Sequence, residues 1–238
     1  GSSSVSLGRV LRTLFGHGEK KDSIIILSIR LPRAVTAIAA GFGLGIVGCV
    51  MQSVLRNPLA SASTIGVSQG AAFGAAFAII VLGGGMMSAG STGAQLNVNN
   101  PVVTTLCAFF FAMVSTIFVL CLSRFREINA STLVLAGVAL SSLFSAGTTL
   151  LEYFADDVCV AAVVYWTFGD LGSTFWKEII VMGTVVIFAA IYFQLNSWNY
   201  NAMQGGEETA KGLGVKTQST ILCSMVVGSF TAAVIVSY

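Results

Sequence analysis

Polar residues in this chain are clumped between long apolar runs. Six runs stand out, at positions 34–55, 65–82, 101–123, 131–154, 178–195 and 217–236. Each is apolar continuously rather than alternately and about twice as long as a membrane strand, so each reads as a helix of about 20 residues able to cross a hydrocarbon core. The third carries no charge between Val102 and Leu122, while the fourth ends at Glu152 and runs into Asp156-Asp157, where it must meet water. The expected fold is all-α, a polytopic transmembrane helix bundle of about six spans. Small residues recur at helix-packing spacing: Gly41 and Gly45 form one GxxxG pair, and Gly66, Gly70 and Gly74 form two more in succession. Four-residue spacing aligns them on one face, where backbones can approach closely.

Composition agrees with the pattern. Of 238 residues 55% are hydrophobic and 9% charged, with a mean hydropathy of +0.86. A soluble domain carries roughly 25% charged residues, so this chain lacks the polar surface to coat a water-soluble particle. A net charge of +2 with no basic run excludes a nucleic-acid partner. The five cysteines form no CxxC pair and show no metal-ligand spacing, and four of them fall inside apolar runs. His17 is the single histidine, which excludes a His-based triad or a multi-His metal site. No catalytic residue, metal ligand or cofactor is expected.

The connections set the orientation. Alternate ones carry Arg56, then Arg124 and Arg126, then Lys211 and Lys216, whereas 83–100 is uncharged and 155–177 is net acidic. The positive-inside rule makes the first set cytoplasmic. The stretch 83–100, rich in Gly, Ser and Asn, reads as a flexible external loop. The N-terminal part disagrees, because Arg9, Arg12, Lys20, Lys21, Arg30 and Arg33 would then lie outside. Residues 5–15 read as a short amphipathic helix suited to an interface. The expected organisation is an interfacial segment at 1–33, membrane helices over 34–199, a cytoplasmic helix within 200–216 and a final membrane helix at 217–238.

Three motifs carry chemistry. Arg30 and Arg33 flank Leu31-Pro32 at the outer end of the first span, where two guanidinium groups suit a carboxylate-bearing partner. Asn57-Pro58 interrupts an apolar region, either as an ordinary interhelix turn or as irregular backbone of the kind tolerated at membrane depth only inside protein or beside a wet cavity. The stretch 206–215 has Glu207 and Glu208 in its first turn and Lys211 later, as a helix dipole prefers, with Gly212 or Gly214 as a stop.

With a second stretch running from Leu135-Ala136-Gly137 to Trp166-Thr167-Phe168-Gly169-Asp170-Leu171, these motifs follow one another in an order that resembles the FecCD-like permeases of type II ABC importers. Those importers carry ferric siderophores, haem or vitamin B12. The resemblance runs over nearly the whole chain and implies roles for named residues. Arg30 and Arg33 would meet acidic residues of an extracytoplasmic substrate-binding protein. Asn57, Pro58 and Leu59, opposite Ser131 and Thr132, would form a cytoplasmic gate. Gly206, Glu207, Glu208, Ala210, Leu213 and Gly214 would seat in a separate ATP-binding cassette ATPase subunit. It also implies a homodimer of permeases in the plasma (inner) membrane. Family permeases have near ten helices, so about six would be part of that fold, lacking a helix before Val5 and the helices that follow Tyr238. The sequence carries no GxxxxGK[ST] motif and almost no ionisable residue inside the runs. The expected function is therefore a non-enzymatic, motor-driven permease for an iron chelate, the alternatives being a vitamin B12 permease, a non-ATP carrier or a scaffold.

Overall fold

A computed structural model describes residues 6–14, 16, 19–83, 85–90, 93–98, 101–125, 130–172 and 174–238. An amphipathic helix α1 (Leu7–Leu14) precedes α2 (Lys20–Ser23), which passes through a π-helical turn, Ile24–Arg30, directly into α3 (Leu31–Leu55). The first span is thus one rod of 36 residues from Lys20 to Leu55, about 54 Å at 1.5 Å per residue. The boundary expected at residue 33 falls inside it.

Proline explains the turn. The Leu31 N–H bonds to the Ile26 carbonyl, five residues back. In that register the Leu27 carbonyl would await the N–H of residue 32, and Pro32 has none. The Trp176 indole Nε1–H donates to the Leu27 oxygen instead, at 3.3 Å.

The remaining elements are α4 (Val67–Ile80), the strands β1 (Gly85–Gly90) and β2 (Gly93–Val98), then α5 (Pro101–Phe125), α6 (Ala130–Tyr153), α7 (Asp157–Phe168), α8 (Trp176–Leu195), α9 (Ser197–Gln204), α10 (Glu207–Gly212) and α11 (Thr217–Ser237). Five helical runs among the described residues are long and apolar enough to cross a membrane: Lys20–Leu55, Pro101–Leu122, Thr132–Tyr153, Trp176–Leu195 and Thr217–Ser237.

The second expected span differs. α4 has 14 residues, about 21 Å, against a core of roughly 30 Å. It is apolar but, by length, not among the helices able to cross alone. Gly66 lies against Ser115, Gly70 against Phe111 and Gly74 against Cys107, so α4 runs antiparallel along the outer part of α5. Residues 56–66, irregular apart from a 3-10 turn at Ser63–Ile65, join α4 to α3 and keep backbone groups paired, as membrane depth would require. Arg56 ends α3 in the left-handed region at φ 49°. The Asn57 Oδ1 accepts the Leu59 N–H at 2.9 Å, the Ser61 N–H donates to Thr64 Oγ1 at 2.9 Å, and Ser115 Oγ donates to the Ile65 carbonyl at 2.9 Å.

Two further differences lie outside. The connection expected at 155–177 contains α7, whose Ala162 and Val163 pack on Ala76 and Ile79 of α4. The charges at Asp156-Asp157 hid it, and 12 residues are too few for a crossing. The loop expected at 83–100 contains an antiparallel hairpin with Gly85 opposite Val98 and Gly90 opposite Gly93.

Small side chains form the centre. Ala71 and Ala75 of α4 and Ala108 and Ala112 of α5 are fully buried together. On the other side of the bundle Gly43 of α3 faces Ile235 of α11 and Val186 of α8, and Gly228 of α11 faces Met51 and Val47. These pairings make α3 and α8 descend side by side while α11 returns between them. Counting α4 as a crossing, Arg56, Lys211 and Lys216 all fall at one end of the bundle, as the sequence requires.

Candidate functional site

A recess of about 240 Å³ opens between α4, α6 and α7. The outer half of α6 supplies Ser145, Thr148, Thr149 and Glu152, α4 supplies Gln69, and α7 supplies Thr167 and Phe168. From Ser145 to Glu152 the wall climbs about 10 Å along the helix. Three of the four hydroxyl hydrogens are engaged elsewhere: Thr148 donates to the Phe144 carbonyl at 3.0 Å, Thr149 to the Ser145 carbonyl at 3.1 Å and Thr167 to the Val163 carbonyl at 2.9 Å. The oxygens therefore present lone pairs to the opening. With the Glu152 carboxylate added, the α6 wall is rich in acceptors, while the Gln69 amide and the Ser145 hydroxyl can still donate. Behind it Phe73 meets Phe111 edge-on at 5.0 Å and Phe144 at 5.5 Å, a stiff backing for the polar face. None of these residues was among the expected site residues. Their sequence signal is polar side chains at positions 145, 148/149 and 152 of an apolar run, the spacing of one helix face.

The outer arginines join a second structure. Arg30 closes the π turn and Arg33 lies in the first turn of α3, with ten helical residues of the same rod before Arg30. Arg33 Nη2 lies 3.8 Å from Asp170 Oδ1, with their side chains 62% and 32% exposed. Asp170 also accepts the Gly172 N–H at 2.8 Å and the Tyr165 hydroxyl at 3.3 Å. Nearby, the Thr36 and Thr174 hydroxyls are 2.9 Å apart and buried. Together with the Trp176–Leu27 bond, these contacts fasten the segment after α7 onto the first span. The Arg30–Arg33 motif and the motif ending at Asp170-Leu171 are thus one joint.

At the inner end Asn57 and Leu59 are brought together by the Asn57 side chain, Pro58 is exposed, and Leu59 is 77% exposed. Thr132 is exposed at the start of α6. The side chain of Ser131 lies outside the described residues.

The inner helix α10 is introduced by Gly206, whose φ of 114° suits glycine, and the chain turns again at Gly214, φ 84°, just beyond its end. Lys211 Nζ meets Glu207 Oε1 at 3.1 Å and Glu208 Oε1 at 3.6 Å. The hydrogen bond to Glu207, then its charge, pushes the Lys211 ammonium above the ordinary lysine value. Ala210 is fully buried and its carbonyl takes the Val215 N–H. Ala210 therefore faces inward and offers a partner no surface, whereas Leu213 is 59% exposed. α9 anchors this element: Gln204 Nε2 donates to Ser53 of α3 at 3.2 Å, and Ser224 of α11 donates to the Tyr200 hydroxyl at 3.0 Å. Burial pushes the Tyr200 phenol above its ordinary value.

No group of three or more His, Cys, Asp or Glu among the described residues is placed to hold a metal ion.

Against known proteins, residues 1–238 match the model of the FecCD transport family. A Methanocaldococcus jannaschii protein named as an ABC transporter permease is 48% identical over the full chain, which spans 67% of that relative. The hemin transport system permease HmuU of Yersinia pestis is 31% identical over 87% of this chain and 61% of its own length. Other matched relatives are named for molybdate, vitamin B12 and iron chelatin import. A solved structure described as an inward-facing conformation of a metal-chelate type ABC transporter matches with a TM-score of 0.79 and 27% identity, over 92% of this chain and 65% of that one. The chain thus spans about half to two thirds of the length of the relatives it matches.

Proposed function

The chain belongs to the FecCD transport family as a multi-pass plasma-membrane protein, and from that premise we propose that it is translocation machinery of an ATP-driven importer of an iron chelate, a ferric siderophore or haem. The observation that carries the substrate reading is the acceptor-rich recess. A wall of hydroxyls and one carboxylate, at the outer half of a membrane helix, disfavours a compact dianion such as molybdate, whereas a bulky chelate spreads its charge and can meet both the acceptors and the Gln69 and Ser145 donors. Vitamin B12, with its amide donors, is the second reading the same wall allows. In this proposal Arg30 and Arg33 dock an extracytoplasmic binding protein. The irregular segment at Asn57, Pro58 and Leu59, facing Ser131 and Thr132, closes the inner end of the path. The α10 region, Gly206 to Gly214, transmits movement from a separate ATPase through the exposed Leu213, and Glu207 and Glu208 set its pose. A second permease copy completes the channel.

The test uses the full-length permease with its ATPase and binding protein in proteoliposomes. Uptake of labelled ferric siderophore, haem, cobalamin and molybdate is compared in the wild type and in Glu152→Gln. Chelate uptake in the wild type, with molybdate excluded and the exclusion relaxed in Glu152→Gln, supports the reading. Molybdate as the preferred cargo overturns it. Failure of the wild type to co-purify with an ATPase, or its retention by Leu213→Asp, removes the proposed coupling role.

A further inference from the structure

The family resemblance assigns Arg33 to a partner's acidic side chain, yet in this structure an acidic side chain of the chain itself already stands there. Asp170 Oδ1 is 3.8 Å from Arg33 Nη2, on a segment that begins at Gly169, one residue after α7 ends at Phe168. Gly169 turns at φ 75°, a conformation that suits glycine. Phe168 is a wall residue of the recess. A single short stretch, Phe168-Gly169-Asp170, therefore has one end at the recess and the other on the docking arginine.

The strength of the contact matters. An ion pair of this length with one partner mostly exposed is weak and screened by salt. Asp170 is better held by its own segment, through the Gly172 N–H at 2.8 Å and the Tyr165 hydroxyl at 3.3 Å, than by Arg33. The Thr36–Thr174 bond is buried and the Trp176–Leu27 bond is made at the π turn, so both persist when Arg33 changes partner. Arg33 is thus the exchangeable contact of the joint.

We propose that Asp170 is an internal placeholder for the docking carboxylate. It occupies Arg33 in the undocked permease, an acidic side chain of the binding protein displaces it, and the segment that ends α7 at the recess is loosened on the side where cargo arrives. The proposal rests on the docking role given to Arg33 above and adds to it a competitor supplied by the permease itself.

The test measures binding-protein affinity for the full-length permease–ATPase complex in nanodiscs, for the wild type, Arg33→Ala, Asp170→Asn and the double variant. Asparagine keeps an oxygen for the Gly172 N–H, and its NH2 group can donate to the Tyr165 hydroxyl oxygen in place of the bond now made to Oδ2, so Asp170→Asn keeps both local contacts while removing the charge. Expected results are weaker binding in Arg33→Ala and about threefold tighter binding in Asp170→Asn. The gain should shrink at high salt and vanish in the Arg33→Ala background. Unchanged or weaker binding in Asp170→Asn, with Arg33→Ala still impaired, overturns the placeholder and leaves the docking role intact. A gain that survives without Arg33 overturns it as well. If neither single variant alters affinity, the docking role itself fails, and the placeholder with it.

Discussion

The same four-residue glycine spacing occurs in α3 and in α4, with opposite consequences. In α4 a Cβ on Gly70 would lie 2.7 Å from the Phe111 carbonyl oxygen, and one on Gly74 would collide with the backbone at Cys107. In α3 a Cβ on Gly41 or Gly45 would meet nothing within 4 Å. One pair is a seam where two backbones touch, and the other is an open face beside exposed Ile38 and Phe42. The spacing says only that close approach is possible. Which face uses it depends on the neighbouring helix.

The sharpest way to break the comparison is Gly74→Ala or Gly70→Ala. Backbone cannot yield as a side-chain tip can, so a loss of about 3 kcal/mol or failure to accumulate is expected, read by thermal unfolding in detergent and by yield. Gly43→Ala is the intermediate case. Its Cβ would lie 2.6 Å from Ile235 Cδ1 and 2.8 Å from Val186 Cγ2, both ends of flexible side chains, and about 1 kcal/mol is expected in the same assay. Gly41→Ala and Gly45→Ala should change the stability of the chain by no more than about 0.5 kcal/mol, with a slight gain from helix propensity. A large loss there would show that another helix covers the open face. Smallest of all is Lys211→Ala on α10. Its ion pairs are exposed and no change in melting temperature is expected. Because the ammonium's pKa is raised, whatever it contributes is complete below the ordinary lysine value and fades only as pH rises through the higher one. A melt series from pH 8 to beyond the lysine range would expose a larger role.

The spans were legible because a continuous apolar run has few other uses, and positive loops gave their direction. The length of α4 was not. Residues 65–82 are apolar apart from Ser68 and Gln69, so little in hydropathy marks Gly66, with its φ of 91°, as the residue that introduces the helix. α7 was concealed because a helix too short to cross, introduced by two aspartates, looks like a connection. Charges drew the reading to both ends of the molecule and away from the recess. Glu152 was read as the point where a span reaches water, although with Thr148 and Thr149 it forms one wall. The partnership of Arg33 with Asp170 joins two motifs far apart in the chain, and only packing could bring them together.

The π turn at Ile24–Arg30 has one more consequence. A π turn holds a residue that an α-helix would not, and each such residue advances the helix by about 100°. The two stretches of the rod are therefore out of phase: a side chain before Ile24 points in a direction that the register of α3 does not predict. Deleting one residue from Ile24–Arg30 would return the rod to a single phase. Lys20 and Lys21 would then be carried around the helix axis while Arg33 kept its place.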